Sequence, residues 1–441
     1  MASALLSQTI SSSTGKIFTM SVWIKKSAND SINQILHLSS DSNTHKYIDF
    51  ATKSTRGIDF QLKNGSGGTY IRRRTTRVFR DTNAWYHIII RFDSTQSTAG
   101  DRLRIYVNGE QATDIDVDST PDVPLNMVSD FNTNGGTLNI GKNIGTGFSS
   151  NFDGQMAHFH LTDGYSYAPT TFGETDSTTG IWKPKTSPSV TYGTNGFFLK
   201  FDNSANMGLD SSGQSNSFTT TGTIIQTKDT PSNVFVTLNP LYKPNLAVTL
   251  SNTNTSWTNS GSNGWHNSGA TLGASSGKYY WELKNISNQA IKVGVIGPAV
   301  NMSASNTQDL TTGVTYFDNQ GSGSVTVDGS NSGSYGTFNN TDVMGVAVDM
   351  TSSTKAFSIY KNGTALFTDL AISTNIETAI PFFSYYGASN TFNVNFGNGY
   401  FGATAVSSAQ NPADGNGIFE HSVPSGYRAL CTKSINAEEY S

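Results

Sequence analysis

The sequence predicts an all-β protein built from two tandem antiparallel β-sandwiches, and three observations carry that expectation. Charged residues make up only 14% of the 441 residues and glutamate occurs seven times, too little to coat long helices. The chain has 43 glycines and many serines, threonines and asparagines, which suits short strands joined by frequent turns. One pattern also occurs twice. "DRLRIYVNGEQ" (101–111) alternates apolar and polar residues and then runs into Asn-Gly, and "AFSIYKNGTAL" (356–366) does the same. Asn-Gly tolerates positive φ at both central positions of a type I′ turn, so each run reads as a strand entering a tight hairpin.

The elements follow in order. "FTMSVWIKK" (18–26), "NQILHLSS" (33–40), "YIDFAT" (47–52), "GIDFQLKN" (57–64) and "TYIRRRT" (69–75) alternate with period two and are broken by Gly, Asn and Ser. "AWYHIIIRFD" (84–93), the first hairpin, "TLNIGK" (137–142), "DGQMAHFHLTDG" (153–164) and "NGFFLKFD" (195–202) continue the series. The second half repeats the plan with "KYYWELK" (278–284), "IKVGVIG" (291–297), "TYFD" (315–318), "SVTVDG" (324–329) and "DVMGVAVDM" (342–350). The second hairpin, "AIPFFSYYG" (379–387) and "FNVNFGN" (392–398) complete it. In both halves an apolar strand precedes the Asn-Gly hairpin, and many half-apolar strands bury themselves best as two stacked sheets. Leu103, Ile105 and Val107, like Phe357 and Ile359, are expected to face their cores, as are Trp23, Trp85 and Trp281. A Pro/Asn stretch, 229–245, is expected to link a first domain at 1–228 to a second at 246–432, leaving 433–441 as a tail.

Composition excludes several classes. A net charge of −4 argues against a nucleic-acid binder. One cysteine, Cys431, allows no internal disulfide and no cysteine-rich metal site. No apolar run approaches the length that crosses a bilayer, and the start "MASALLSQTISSSTGK" lacks the basic and apolar regions of a signal peptide. Membrane insertion is not expected.

"WYHIIIRFD", "DRLRIYVNG", "LNIGKNI" and "FDGQMAHFHLTDG", taken together, resemble the laminin-G-like, concanavalin A-type jelly roll over roughly residues 1–200. "GKYYWELK", "VGVI", "DVMGVAVDM", "FSIYKNG", "PFFSYYG" and "VNFGN" resemble a SPRY domain over roughly 246–430. With "FGETDSTTGIWKPK", "LDSSGQSNSFT", "DTPSNVFVTLNPL" and "PSGYRALCT", the tandem is similar to virion proteins of tailed bacteriophages described as tail-fibre or appendage components. That resemblance implies a non-enzymatic structural protein made in the bacterial host cytoplasm and located in the virion. It implies other virion proteins as partners, a homo-oligomer within the particle, and a host-surface glycan or receptor as ligand. A capsid or tail decoration protein making only subunit contacts is the alternative, and a polysaccharide hydrolase the third reading.

The residues offer candidate sites of unequal kind. Retaining glycoside hydrolysis needs two facing carboxyl groups, and none of the seven glutamates, at 110, 174, 282, 377, 420, 438 and 439, shows the expected strand spacing. No Gly-x-Ser-x-Gly occurs either, so no catalytic residue is assigned. Trp257, Trp265, Tyr385 and Tyr386 are candidates for ligand binding, because flat aromatic faces beside amides suit saccharides. Trp257 is also readable as a core residue of a first strand, and Tyr385 as one that alternates inward. Arg72, Arg74, Arg77 and Arg80, with Arg73 among them, form a basic run suited to an anionic ligand or a neighbouring subunit, or to a charged edge strand. Asp41, Asp93, Asp153 and Asp163 lie at strand ends where calcium could gather oxygen ligands, although Asp also simply makes turns. His158 and His160, two apart on a strand, are expected on one face as a packing pair, with a shared metal as the lesser reading. His87 is read as structural.

Overall fold

The computed structural model describes residues 4–439 apart from 28–31, 40–45, 54–56, 65–69, 117–121, 145–149, 244–247, 260–263, 286–289, 303–309 and 388–390. The chain divides into two compact units, Met1–Gln226 and Thr227–Ser441.

The first unit is a sandwich of two antiparallel sheets. One runs Thr219–Thr221, Leu5–Thr9, Thr137–Ile140, Ile32–Ser39, Lys46–Lys53, Gly57–Asn64, Tyr70–Arg74. The other runs Phe197–Leu199, Gly154–Asp163, Ile17–Lys26, Tyr86–Asp93, Leu103–Val107, Glu110–Gln111. Period-two alternation sends Leu36, Leu38, Phe50, Phe60 and Leu62 from the first sheet and Phe18, Met20, Val22, Ile88 and Ile90 from the second into one shared core. Full burial of each such side chain contributes about 1.5–3 kcal/mol. A separate hairpin, Gly173–Thr175 with Trp182–Pro184, packs Trp182 against the outer face of the second sheet, where its ring stacks near His87.

The second unit repeats the architecture. Val248–Ser251, Ser256–Asn259, Thr391–Asn395, Lys278–Asn285, Val343–Asp349, Ala356–Lys361 and Thr364–Ala371 form one sheet, with Arg428–Ala429 added parallel to Lys278–Asn285. Trp265–Gly269, Ile380–Tyr386, Ile291–Ile296, Val314–Asp318, Ser324–Val327 and Ser330–Ser332 form the other. Trp281, Leu283, Val346 and Phe392 meet Val293, Val295, Phe317 and Phe383 between them.

The two Asn-Gly turns are the same device. Asn108 (φ 50°) donates its amide to the His87 carbonyl at 2.9 Å and accepts the His87 amide on Oδ1 at 2.8 Å. Asn362 (φ 49°) makes the same pair with Val343, at 2.9 and 2.8 Å. Each asparagine thus supplies the left-handed conformation and also locks the hairpin to the preceding strand. Gly109 (φ 87°) has a second reason to be glycine: a Cβ there would lie 3.1 Å from the Trp182 indole.

The expected linker at 229–245 is corrected. Phe235, Val236 and Leu238 are buried in the second unit, Val236 donates to the Leu430 carbonyl, and Leu238 donates to that of Asn254. Prolines set the outline of this stretch, but its apolar residues draw it into a core. The expected tail is likewise mostly a helix, Thr432–Glu439, tied back by an Arg428–Glu438 ion pair at 2.7 Å. Among the described residues no helix is long and apolar enough to cross a membrane.

Candidate functional site

Of the four aromatic candidates, the structure brings two together at one end of the second unit's Trp265-bearing sheet. Trp265 pairs in register with Tyr386, and their rings lie 5.5 Å apart at 60°. Tyr386 is 39% exposed and Trp265 only 7%. Lys292, on the adjoining strand, holds its ammonium 4.0 Å from the Trp265 ring and 5.1 Å from that of Tyr316. Asp318 Oδ2 lies 3.6 Å from the same ammonium. Burial lowers the Lys292 pKa and Asp318 opposes that shift. The cation–π contacts and the ion pair therefore fix a wall of polar and aromatic groups with the Tyr386 ring at its accessible edge.

Trp257 and Tyr385 are corrections. Both are fully buried: Trp257 stacks on Phe392 at 5.1 Å and meets Tyr385 edge-on at 5.4 Å. Ser256–Asn259 is a paired strand between two neighbours, and alternation turns Tyr385 inward as it turns Tyr386 outward.

The arginine run is corrected as a free anionic-ligand patch. Fully buried Asp59 accepts two bonds from Arg72, Nε at 3.0 Å and Nη2 at 2.7 Å, and a third from Arg74 Nη2 at 3.3 Å. Arg77 Nε donates to Asp114 at 2.8 Å, and Arg73 pairs with Asp122 at 2.7 Å. Cross-strand register, Asp59 opposite Arg74, supplies the partners that the linear run conceals. Arg80 is exposed at the end of the run.

The calcium candidates do not converge. Asp41 lies outside the described residues. Asp93 closes its own turn, accepting from the Thr95 hydroxyl at 2.6 Å and the Gln96 amide at 2.6 Å. Asp163 accepts the backbone and side-chain N–H groups of Asn195, both at 3.1 Å, and burial raises its pKa. Asp153 is exposed. Among the described residues no three His, Cys, Asp or Glu side chains are grouped to hold a metal.

His158 and His160 both lie against the Phe198 ring, His158 at 5.8 Å, although a bulge between Ala157 and His160, with His158 at φ 47°, interrupts the regular alternation of the strand. His160 stacks on Phe198 at 3.8 Å and shares a 3.0 Å hydrogen bond with the Tyr192 hydroxyl. His87 is structural in placement: it is buried, stacks on Trp23 at 4.6 Å and accepts the Trp182 indole N–H on Nδ1 at 3.0 Å. That bond leaves the proton on Nε2, which faces Ser21 Oγ at 2.8 Å. Burial pulls the His87 pKa down to about 3. An imidazole already protonated at Nε2 does not accept the serine proton, so the Ser21–His87 contact is not an activated nucleophile.

Two features escaped sequence reasoning. Lys292 interrupts an otherwise apolar strand, "IKVGVI", and that lone cation was the available signal. Glu282 is fully buried, and its carboxylate accepts the backbone amides of Glu420 at 2.7 Å and His421 at 2.8 Å. The Tyr280 hydroxyl at 3.3 Å and the Asn395 amide at 3.4 Å complete a cradle that pins the C-terminal loop. Burial nevertheless raises its pKa to about 7.

Residues 3–170 match the model of the Concanavalin A-like lectin/glucanases superfamily, and residues 278–399 match that of the SPRY domain. Among solved structures, the SPRY domain of human HERC1 is 18% identical, with 36% of this chain and 96% of that chain covered at a TM-score of 0.30. The TRIM65 PSpry domain is 13% identical over 36% and 88% at 0.30, and stonustoxin 17% over 36% and 28% at 0.29. No curated protein matches. The chain therefore carries a concanavalin A-like domain followed by a SPRY domain.

Proposed function

We propose that this chain is a non-enzymatic structural protein of a tailed-bacteriophage virion, an adhesin that contacts a glycan or receptor on the host surface. The Trp265–Tyr386 pair, braced by Lys292 and Asp318 and with Tyr386 exposed, is the observation that carries the reading. A rigid ring with a polar surround is the kind of anchor on which binding energy concentrates. The lectin-bearing superfamily of the first domain supports the same reading, and the tandem's resemblance to phage appendage proteins supports the location. The commitment of His87 and Glu282 to internal hydrogen bonds favours binding over acid–base chemistry.

The test is binding of the purified full chain to a panel of bacterial cells, with competition by intact phage and antibody labelling of virions. Saturable, competed binding that falls at least tenfold in Tyr386→Ala, with an unchanged melting temperature, is expected. Labelled virions without cell binding would replace the adhesin by a decoration protein. New reducing ends released from host polysaccharide would replace it by a hydrolase.

A further inference from the structure

We infer that the hairpin Gly173–Pro184 is an acid-released lid over the outer face of the first domain's six-stranded sheet, latched by the Trp182 indole on the buried His87 ring. His87 alternates with the core residue Ile88 and therefore faces outward, opposite Trp23 on the neighbouring strand. The hairpin lies on that face without joining the sheet. Its two strands pair only with each other, and among the described residues its backbone hydrogen bonds run within 172–185. Its charges also stay inside it, with the Lys183 ammonium 2.8 Å from Asp176 and 3.8 Å from Glu174. Among the described residues one side-chain hydrogen bond ties the hairpin to the sheet, from Trp182 Nε1 to His87 Nδ1 at 3.0 Å.

The indole has a fitted seat. A Cβ at Gly173 would lie 2.4 Å from it and one at Gly109 3.1 Å, so both neighbours are cut back to hydrogen where the ring passes. Phe172, fully buried beside Tyr106 and Tyr167, fixes the base of the hairpin. A two-stranded hairpin alone is marginal in water, so its closed position depends on the indole contact. Release of Trp182 bares the imidazole on which Trp23 stacks.

A proton and the indole compete for one atom. Nε2 already carries the imidazole proton and faces Ser21 Oγ at 2.8 Å, so a second proton enters only at Nδ1. A protonated Nδ1 is a donor, and two donors would then face each other at 3.0 Å. The surroundings give an imidazolium no support. Ser21 and Trp23 face the ring from one strand, His158 and His160 lie on the strand beyond, and Asn108 stands at the turn. None of these is a carboxylate, and Lys25, further along the Trp23 strand, is turned to Asn83 Oδ1 at 2.8 Å. Burial, with the His158 charge second, pulls the His87 pKa from 6.5 down to about 3. The closed lid thus favours the neutral ring: its latch is complete above about pH 6.5 and weakens as pH falls below that value. His160 is held by Tyr192, Phe172 and Phe198, none of them in the hairpin, so release of the lid involves one histidine.

The experiment follows solvent exchange of the Trp182 indole N–H by NMR in the full chain, labelled with nitrogen-15 at tryptophan, from about pH 7 to about pH 4. Trp182→Phe identifies the resonance by its loss, and rates are corrected by those of free tryptophan at each pH. The opening constant is expected to rise about tenfold for each unit below about pH 6, one proton per opening, while the backbone amides of Ile17–Lys26 keep their protection. His87→Asn, whose Oδ1 takes the place of Nδ1 as acceptor, should keep the indole protected and abolish the pH dependence. Opening that ignores pH, or that keeps its slope in His87→Asn, overturns the inference. So does an indole that exchanges only together with the Ile17–Lys26 amides, or a slope near two protons. If His87→Asn melts well below the wild type, the wild-type slope and the Ile17–Lys26 amides still decide between a lid and unfolding of the whole domain.

Discussion

Asp59→Asn is the sharpest test of how the first domain is held together. The carboxylate is fully buried and receives three guanidinium bonds, two from Arg72 and one from Arg74. The Arg72 side chain is 22% exposed, so water can replace part of what it loses, whereas the Arg74 side chain is 4% exposed and cannot reach solvent. Removing one member of a buried pair strands the other charge and costs about 3–5 kcal/mol. At roughly 2–4 °C per kcal/mol for a domain of this size, the first transition should fall by about 6–20 °C. Calorimetry and urea unfolding at pH 7 read this directly. Arg74→Met added to Asp59→Asn should recover a substantial part, because the stranded charge is gone, and the double-mutant coupling should reach about 1–3 kcal/mol. A loss below about 1 kcal/mol in Asp59→Asn, or strict additivity with Arg74→Met, would show that the arginine run is held by something else.

Two further outcomes concern the titratable groups. Glu282 has a folded pKa of about 7 against an ordinary value of 4.5, so the folded state binds its proton more tightly. Its contribution is complete below pH 4.5 and is lost as pH rises through 7, by about 3 kcal/mol at 1.36 kcal/mol per pKa unit. Urea unfolding of the second unit should show that loss between pH 4.5 and pH 7, and a flat profile would contradict it. His87, with its pKa near 3, should show no imidazole titration above pH 4.5 by nitrogen NMR. Trp182→Phe should cost about 1–3 kcal/mol by leaving Nδ1 buried without a donor, and an unchanged stability would deny the indole its role.

Residue order alone determined most of the longer strands, their alternation and the two hairpins, because period-two burial and the left-handed tolerance of Asn-Gly are local properties. It also determined the two domain types, whose signatures lie within single strands and their turns. What alternation could not decide is which parity faces the core. Trp257 and Tyr385 point inward and Trp265 and Tyr386 outward only because a second sheet covers one face. The bulge at His158 shifts parity within a strand that reads as regular. Partners distant in sequence were equally hidden. Asp59 meets Arg74 across a hairpin, Trp182 meets His87 across 95 residues, and the Glu420 amide meets Glu282 across 138. Which residues stand opposite one another in the seven-stranded sheet is set by hydrogen bonding between strands and not by order along the chain.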